Sequence, residues 1–452
     1  MNSTIYEFII IYHLVPALPG WVPMVVLTLI VAFIFFLLIG VPIAFVLGLT
    51  PLVAMMTQGD TPLVLAAQRI FTGIDSPILM AVPFFILAGN IMSASGMTER
   101  LLAFCNILVG WLRGGLAYIN VVVSMFFAGI TGAAVADTSA VGSILIPAMK
   151  KEGYDINFAA AVTATSSTIG PVIPPSIPFI IYGVLGEVSI ASLFLAGFIP
   201  GVLLGLFQMG VVGYYSRKRR YPKGSLPSLR ESFRVSIDAA LVLMLPVIIL
   251  GGILTGVFTP TESACIAVFY ALLLSVAIYR DIKIRELPRL LIDTAATSSL
   301  VMMVIGMASI FSWLLASEQI PQMVTEQITR ITTNKVLILL LLNAVLLIIG
   351  TFMETTASLI ILTPVLLPLM KQIGVDPLHF GVILVLNLVI GLTTPPVGVC
   401  LFIACSIAKT KLELLSRAIL PFLLVSIVVL LICTYWRDLV LMIPVFFGYK
   451  PL

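Results

Sequence analysis

Long apolar runs, separated by short polar stretches, cover most of this chain. The first half contains six such runs and the second half another six, with the polar stretch Ser216–Arg234 between them. A helix needs roughly 20 apolar residues to cross the hydrocarbon of a bilayer, and many of these runs reach that length. The pattern predicts an all-α integral membrane protein with apolar runs at residues 22–40, 41–57, 77–95, 115–150, 157–185, 188–214, 236–257, 261–280, 294–316, 335–371, 376–408 and 416–445.

The composition supports membrane insertion and excludes several other classes. Hydrophobic residues make up 60% of the 452 and charged residues 10%, whereas soluble domains carry about 25% charged residues. The mean hydropathy is +1.19. The net charge of +4 is small and the basic residues lie in loops, where they indicate topology and not nucleic-acid binding. The five cysteines lack ligand spacing and no ATP-binding glycine loop is present, so we expect neither a transition metal nor ATP use.

The two halves of the chain repeat one another. "GPVIPPS" contains Gly170 followed by Pro174-Pro175, and "GLTTPPV" contains Gly391 followed by Pro395-Pro396, 221 positions later. Breaker and polar residues in one order, twice, indicate an internal repeat. The same offset relates Pro147 to Pro368, Gly153 to Gly374 and Asp155 to Asp376.

The charged residues predict that the two repeats are inverted. Loops rich in Lys and Arg stay in the cytoplasm, which places the linker 216–235 there, with the basic segments 279–285 and 409–417. Counting spans outward from the linker leaves Lys150 inside and Lys371 outside. The matching motifs then enter the bilayer from opposite faces, as in secondary transporters whose sites lie near the midplane at broken helices.

Two stretches are too long for single spans and predict re-entrant hairpins. Residues 115–150 would extend roughly 54 Å as one helix, against ~30 Å of hydrocarbon. Small and polar residues offer a tip in "AGITGAAVADTSA", and "IGTFMETTAS" is its counterpart in the second half. The alternative is a long tilted helix with small residues for packing.

The predicted repeat 1 (1–215) has scaffold helices 22–95, an arm helix 97–115, a hairpin 115–150, a broken helix 157–185 and a helix 188–214. The predicted repeat 2 (236–452) has helices 236–316, an arm helix 320–335, a hairpin 335–371, a broken helix 376–408 and a helix 416–445.

The proline-rich breaks predict sodium sites. Proline removes backbone donors and glycine permits unusual dihedrals, so carbonyl groups are freed inside the membrane. Such backbone survives there only when it is buried in protein or lines a wet cavity. Carbonyls with Ser and Thr hydroxyls suit sodium, so we predict one site between tip 129–139 and loop 166–176. A second is predicted between tip 350–358 and loop 391–396, with Asn387 nearby. The alternative is two proline kinks healed by neighbouring helices.

Two acidic residues stand out within the predicted tips. "ADTSA" resembles "METTA" at an offset of 217, which places Asp137 opposite Glu354. Intramembrane carboxylates are usually functional; these could ligate sodium indirectly, carry a coupled proton, or only cap the helices that follow. Glu262 in "TPTES" opens a further helix and can serve as a cap. The tips and loops contain no Lys or Arg, so helix N-termini and bound sodium would have to attract an anionic substrate.

These residues resemble a known family, the large membrane subunit of tripartite ATP-independent periplasmic (TRAP) transporters, DctM-like. The resemblance covers nearly the whole chain and is carried by "VPFFILAGNIM", "FFAGITGAAVADTSAVGSILIPAMKKEGY", "SSTIGPVIPPSIPFIIYG", "GGILTGVFTPTESA" and "GLTTPPVG". It implies a multi-pass protein of a bacterial or archaeal inner membrane. With the linker in the cytoplasm, we predict a periplasmic N-terminus. The resemblance implies sodium-driven uptake of an organic acid by an elevator-like motion, a separate small four-helix membrane subunit, and a periplasmic binding protein that delivers a C4-dicarboxylate, sialic acid or another carboxylate.

The resemblance also implies roles for individual residues in the tips and loops, with sodium as the coupling ion and no other cofactor. A stand-alone sodium–carboxylate symporter of the same superfamily is the alternative, and an intramembrane enzyme is a distant third because no catalytic motif surrounds the carboxylates. For sodium the residues are Gly129, Thr131, Gly132, Ser166, Ser167, Gly170, Pro174, Gly350, Thr355, Thr356, Gly391, Thr393, Thr394 and Pro395. For the substrate they are Asp137, Thr138, Ser139, Pro175, Ser176, Glu354, Ser358, Asn387 and Pro396.

Overall fold

The structure, a computed structural model, describes residues 24–59 and 61–451, apart from the side chains of residues 128–131 and 331. Helices account for most of this part of the chain, and its only β-type pairing is one isolated bridge between Arg113 and Lys223. The predicted all-α class is confirmed. The start of the apolar run 22–40 and the predicted periplasmic N-terminus lie outside the described residues.

Within those ranges, several helices are long and apolar enough to cross a membrane. There are seven of them, or eight when the pair Ala81–Ala94 and Met97–Val109, bent by 74°, is counted as one span. Glycine and proline account for several of the shorter apolar helices, since breaks fall at Gly132, at residues 170–176 and at residues 392–398. The helices of the polytopic chain are thus a mixture of full spans and half-length pieces.

Contacts divide the chain into two compact units. The first contains the described residues up to Gly73 together with Met303–Ile320. In this unit Phe33 packs on Phe311 with 6.1 Å between ring centroids, and the guanidinium of Arg69 lies 5.4 Å from the centre of the Trp313 ring. Its helices are α1 (Met24–Leu38), α2 (Ile43–Gln58), α3 (Val64–Ile74) and the last part of α13 (Leu287–Ser317).

The second unit, Ile74–Met302 with Pro321 to the C-terminal end, holds both predicted hairpins and both broken helices. Its helices before the linker are α4 (Ala81–Ala94), α5 (Met97–Val109), α6 (Gly115–Thr131), α7 (Ala134–Lys151), α8 (Ile156–Ser166), α9 (Ile177–Gly186) and α10 (Ile190–Lys218). Those after it are α11 (Leu229–Leu254), α12 (Pro260–Leu272), the first part of α13, α14 (Ile320–Ile331), α15 (Lys335–Phe352), α16 (Thr355–Gln372), α17 (Pro377–Gly391), α18 (Val399–Ala408), α19 (Leu412–Tyr435) and α20 (Arg437–Phe446).

Helix ends in the second unit repeat at a nearly constant offset. Helix α16 begins and ends 221 positions after α7, and α17 begins 221 positions after α8. The packing is reciprocal as well: α7 packs on α18 while α16 packs on α9, and α8 packs on α19 while α17 packs on α10. The Pro174-Pro175 and Pro395-Pro396 peptide bonds are both cis. The helices of each repeat therefore pack on helices of the other repeat, and the two repeats share one core.

Each broken helix begins at a capping aspartate that an arginine and a tyrosine contact. Asp155 accepts from the Phe158 N–H, its own N–H donates to the Tyr221 hydroxyl, and Arg219 lies 3.4 Å away. Asp376 caps α17 in the same way, accepting from the Leu378 N–H at 2.8 Å. The Tyr449 hydroxyl donates to both Asp376 carboxylate oxygens, at 3.1 and 3.2 Å. Burial and the Asp376 charge raise the pKa of Tyr449 to about 12, so the phenol keeps its proton.

Helix α10 shows that the two broken helices start at opposite ends of the unit. It has 29 residues, or about 44 Å at 1.5 Å per residue. Just after its C-terminal end, the Tyr221 ring stacks on Tyr154, which precedes α8, with 4.3 Å between centroids. At its N-terminal end, Ile190 packs against Gly183 of α9, and the neighbouring Tyr182 donates to the carbonyl of Pro377, the first residue of α17, at 2.6 Å. The two broken helices thus start at opposite ends of α10, as inverted repeats require.

Candidate functional site

The first predicted tip lies directly against the first proline-rich loop. Helices α6 and α7 meet at Gly132, whose φ of +59° favours glycine. A Cβ at this position would lie 3.1 Å from the backbone nitrogen of Ile177 and 3.2 Å from the carbonyl oxygen of Pro175. The structure therefore brings together tip 129–139 and loop 166–176, as the sequence predicts. The side chain of Thr131, one of the predicted sodium ligands, lies outside the described residues.

The second tip and the second loop form an equivalent contact. A Cβ on Gly350, at the end of α15, would lie 2.9 Å from the Leu388 carbonyl oxygen and 3.1 Å from the Gly391 Cα. In addition, the Gly398 N–H donates to the Thr351 carbonyl at 3.1 Å. The backbones of the hairpin and the broken helix therefore touch, which only glycine on both sides allows.

The two loops differ in exposure although their sequences match. Every residue from Ser166 to Ser176 is buried. In the second loop Gly391 and Thr393 are buried, Thr394 and Pro395 are half-buried, and Pro396 is exposed. The first loop is thus enclosed by protein, and the second opens to the outside of the second unit.

Hydroxyl groups in both loops are oriented by the preceding helix turn. Ser167 donates to the Thr163 carbonyl at 2.7 Å, and Thr393 and Thr394 both donate to the Ile390 carbonyl at 2.9 Å. A hydroxyl that donates its hydrogen in this way keeps its lone pairs as acceptors. These oxygens can therefore serve as ligands of a cation without losing their existing hydrogen bonds. The Ser176 hydroxyl also donates to a loop carbonyl, that of Pro171.

The two carboxylates do not occupy equivalent positions. Helix α7 begins at Ala134 and α16 at Thr355, so the offset at the tips is 221, and Asp137 corresponds to Ser358. The match of "ADTSA" to "METTA" at 217 is one helical turn out of register. Glu354 is the N-cap of α16 and accepts from the Ala357 N–H at 3.1 Å, whereas Asp137 lies within the first turn of α7, whose N-cap is Ala133. The capping interpretation is thus right for Glu354 and wrong for Asp137.

Several polar atoms at the tips are buried without a hydrogen-bond partner in the described part of the chain. They include both carboxylate oxygens of Asp137 and the hydroxyls of Thr355 and Ser358. Asp137 is fully buried and lies close to Cys400 in the first turn of α18. An orphaned buried carboxyl group or hydroxyl costs about 1–3 kcal/mol, and more when it is charged. Each such group is a position where a bound ion, proton or ligand would lower the free energy.

The remaining predicted residues fall into three groups. Thr138, Pro174 and Pro175 are buried, and Thr356 is buried at the start of α16. Ser139 and Glu354 are exposed. Asn387 is buried inside the helix bundle, where its amide donates to Asn343 at 2.8 Å, so it faces the hairpin and not the loop.

A pair of polar contacts between hairpin and broken helix was not predicted from the sequence. Asn120 of α6 accepts from the Ser166 hydroxyl at 3.0 Å, and Asn343 of α15 accepts from Asn387 of α17. Ser166 and Asn387 are 221 positions apart, so each repeat uses the same place to join its hairpin to its broken helix. The signal available in the sequence was the presence of an asparagine within the first arm of each hairpin, at 120 and 343.

Glu262 has a purely local role in the structure. Its carboxylate accepts from the Thr259 N–H at 2.7 Å, and the Glu262 N–H donates to the Thr259 hydroxyl at 3.3 Å. This reciprocal pair is a capping box at the start of α12.

A hairpin that packs against a broken helix in each of two matching halves is the architecture of many secondary transporters. The solved structure of the YdaH transporter from Alcanivorax borkumensis is similar to this chain, with a TM-score of 0.58, and covers 91% of this chain and 98% of its own. At 15% identity this similarity concerns the fold alone. A family model described as the tripartite ATP-independent periplasmic transporter, DctM component, matches residues 30–439. The chain belongs to this family.

Named relatives agree with that assignment. The isethionate TRAP transporter permease protein DctMQ of Oleidesulfovibrio alaskensis is 44% identical over 92% of this chain, which spans 65% of that longer relative. The sialic acid TRAP transporter large permease protein SiaM of Vibrio cholerae is 39% identical, over 91% of this chain and 96% of its own. The C4-dicarboxylate large permease protein DctM of Rhodobacter capsulatus is 36% identical, over 91% and 97%. The predicted family and the prediction of a transporter and not an enzyme are confirmed.

Proposed function

We propose that this chain is the permease subunit through which a sodium gradient drives uptake of an organic acid. The observation that carries this proposal is the placement of each hairpin tip against a broken helix, with orphaned buried oxygens on Asp137, Thr355 and Ser358. A transporter needs such groups because ions and substrate, and not fixed side chains, complete their coordination.

The oxygen-rich breaks suit sodium better than a transition metal. Each break offers backbone carbonyls of a proline-rich loop and hydroxyls that have already donated their hydrogen, such as Ser167 and Thr394. Hard cations prefer oxygen ligands of this kind. The first ion would lie between tip 129–139 and loop 166–176, and the second between tip 350–358 and loop 391–396.

Helix N-termini supply positive potential for an anionic substrate. Helices α7 and α18 pack on each other, and neither has a side-chain N-cap. Helices α9 and α16 also pack together, but Ser176 and Glu354 cap them. Because an uncapped N-terminus keeps unpaired N–H groups and about half a positive charge, we place the acidic group of the substrate at the α7–α18 side. Asp137 lies there, and we assign it a coupled proton or the counter-charge of the first sodium ion.

The substrate is proposed to be a small organic acid. The relatives are named for isethionate, sialic acid and C4-dicarboxylate, which share an acidic group and differ in the rest of the molecule. Recognition of the acidic group by helix ends and sodium accounts for what they share. A small four-helix membrane subunit and a periplasmic binding protein are the proposed partners, and the binding protein would select the substrate. An elevator-like motion of the hairpins and broken helices would expose the site alternately to the two sides of the inner membrane.

Removal of single hydroxyls tests the sodium sites. We expect Ser358→Ala, Ser167→Ala and Thr394→Ala each to raise the sodium concentration that gives half-maximal uptake by about ten-fold, since one hydrogen bond or ligand to a charged group contributes roughly 1.5–3 kcal/mol. Ser143→Ala is the matched control, because Ser143 is exposed on α7 and only donates to the Ala140 carbonyl. The measurement is uptake of labelled organic acid into proteoliposomes that contain the chain, its small subunit and added binding protein. Unchanged sodium dependence in all three variants would contradict the sites.

The same preparation separates this proposal from the alternative. A stand-alone sodium–carboxylate symporter would transport at the full rate when the chain is reconstituted alone. We expect uptake only when the small subunit and the binding protein are both present. Full uptake by the isolated chain would therefore overturn the partner assignment while leaving the sodium sites to be tested separately.

A further inference from the structure

A cavity outside the hairpin region lies where three basic segments meet. It has a volume of about 240 Å³ and is formed by the start of α8, the end of α10 and the first half of α19. Arg219 and Arg417 line it, together with Asp155, Phe158 and Tyr215. This volume is smaller than the roughly 300–1,000 Å³ of pockets that enclose drug-sized ligands, so the cavity suits a headgroup-sized occupant.

The two arginines differ in how they are held. Arg219 forms an ion pair with Asp155, and its guanidinium lies 5.5 Å from the Tyr215 ring centre and 5.7 Å from that of Phe158. Arg417 makes no hydrogen bond or salt bridge with any residue in the described ranges. One guanidinium is thus pre-oriented by its neighbours, and the other is available for a ligand. Guanidinium groups match phosphate oxygens in pairs, which makes arginine a preferred phosphate ligand.

The charge around the cavity favours an anion. The segments 150–155, 217–223 and 409–417 contain ten Lys and Arg residues and three acidic residues, Glu152, Asp155 and Glu413. The structure brings the segments together: Tyr154 stacks on Tyr221, and the Thr410 hydroxyl donates to the Asn157 amide oxygen at 2.5 Å. Asp155 is the one acidic group in the cavity wall, and its carboxylate is used by the helix cap and by Arg219.

One wall of the cavity is largely apolar and is formed by α19, a candidate membrane span. Leu414, Ala418 and Pro421 line it and share one face of α19, because they are four and three residues apart. Helices α10 and α19 are both long and apolar enough to cross a membrane. From Leu414 to Pro421 this wall extends about 10 Å along the helix axis. The cavity therefore combines the basic side chains of Arg219 and Arg417 with apolar side chains of α19 on either side of Arg417.

We propose that this cavity binds the phosphate group of an anionic phospholipid, with Arg417 and Arg219 as its ligands and the apolar face of α19 beside the first part of the acyl chains. Basic pockets between spanning helices on the cytoplasmic side bind lipid headgroups in this way. The apolar wall favours a lipid over a free phosphate ion, which would leave that wall in contact with water. Because α8 and α19 belong to opposite repeats, a lipid bound here bridges the two repeats outside the sodium sites.

The test measures binding by thermal unfolding of the full chain in neutral detergent. Short-chain phosphatidylglycerol, short-chain phosphatidylcholine and inorganic phosphate are titrated separately. We expect phosphatidylglycerol to raise the midpoint of unfolding in a saturable way, and the other two to have little effect at equal concentration. Arg417→Gln should weaken the apparent affinity for phosphatidylglycerol at least about ten-fold, because a charge-assisted contact is lost. Arg417→Lys keeps the charge and loses the paired geometry, so its apparent affinity for phosphatidylglycerol should lie between those of the unmodified chain and Arg417→Gln.

Lys411→Gln is the matched control, since it removes one exposed positive charge from the same segment without lining the cavity. It should keep the affinity of the unmodified chain. An equal response to inorganic phosphate would identify a soluble-anion site, and an equal response to phosphatidylcholine would show that charge plays no part; both overturn the proposal. So would an unchanged affinity in Arg417→Gln, or an equal loss in Lys411→Gln.

Discussion

A single methyl group at Gly350 should separate the second hairpin from its broken helix. Gly350 and Gly391 are 41 positions apart in the chain, yet their backbones touch where α15 and α17 meet. In Gly350→Ala the new carbon would lie 2.9 Å from the Leu388 carbonyl oxygen and 3.1 Å from the Gly391 Cα. Ordinary contacts of this kind are 3.4 Å or longer. Because the atoms that it meets are backbone, they cannot rotate away, and the helices have to move apart by about 0.5 Å.

Two opposing terms set the size of the effect. Alanine is about 1 kcal/mol better than glycine inside a helix, and overpacking of a tight interface costs typically 1–3 kcal/mol. With backbone atoms on the receiving side we take the upper part of that range, so the net loss of stability is about 2 kcal/mol. The effect on sodium-dependent uptake should be larger than the effect on the free energy of unfolding. A displacement of the order of 1 Å at a binding site can lower activity about a hundred-fold.

The assay compares Gly350→Ala with Gly210→Ala, which lies on an exposed helical position with no atom within 4 Å of the added carbon. We expect Gly210→Ala to transport normally. Gly350→Ala should insert into the membrane and unfold cooperatively, but its half-maximal sodium concentration should rise at least ten-fold, by the size of the displacement effect. Wild-type sodium dependence in Gly350→Ala, with normal expression, would refute the idea that the Gly350–Gly391 contact shapes a sodium site.

Two further predictions concern charge and topology. Asp137→Asn should lower uptake at least about ten-fold, because an isosteric amide cannot carry the charge or the proton; Asp293→Asn, an exposed carboxylate on α13, is its control, and equal activity of both variants would remove Asp137 from the mechanism. An impermeant thiol reagent should label Lys150→Cys and Lys371→Cys, both exposed positions, from opposite faces of the bilayer in a background where the exposed Cys265 is replaced by Ser. Labelling from one face would contradict the inverted repeats.

The breaks in the helices could be predicted from sequence because their causes are local. Proline and glycine act on the backbone where they stand, so "GPVIPPS" and "GLTTPPV" indicate interruptions without knowledge of neighbours. The structure places breaks there, at residues 170–176 and 392–398, and the tips at Gly132 and Met353 interrupt the two long apolar runs. The Asp155 and Asp376 caps are local in the same sense, since each needs only the N–H groups of the turn that follows.

Other features could not be predicted because they depend on residues far apart in the chain. The hydrogen bonds of Asn120 with Ser166 and of Asn343 with Asn387 join residues that are 44 or more positions apart, and the basic cavity is lined by residues from three separate segments. The register of the tips is a subtler case. The resemblance of "ADTSA" to "METTA" aligned Asp137 with Glu354, but the helix starts align Asp137 with Ser358. A polar cluster can move by one turn along a helix and remain on the same face.

Because of that one-turn shift, the acidic groups of the two repeats lie in different environments. In the second repeat the acidic group is at the exposed cap, where Glu354 accepts a backbone N–H and needs no further partner. In the first repeat it is at Asp137, one turn farther along, where burial is complete and neither oxygen has a partner among the described residues. A buried carboxylate without a partner is costly unless a proton or cation neutralises it. Since Ser358, at the equivalent place in the second repeat, is neutral, the two ion sites should differ in affinity and in pH dependence, with the proton-sensitive site in the first repeat.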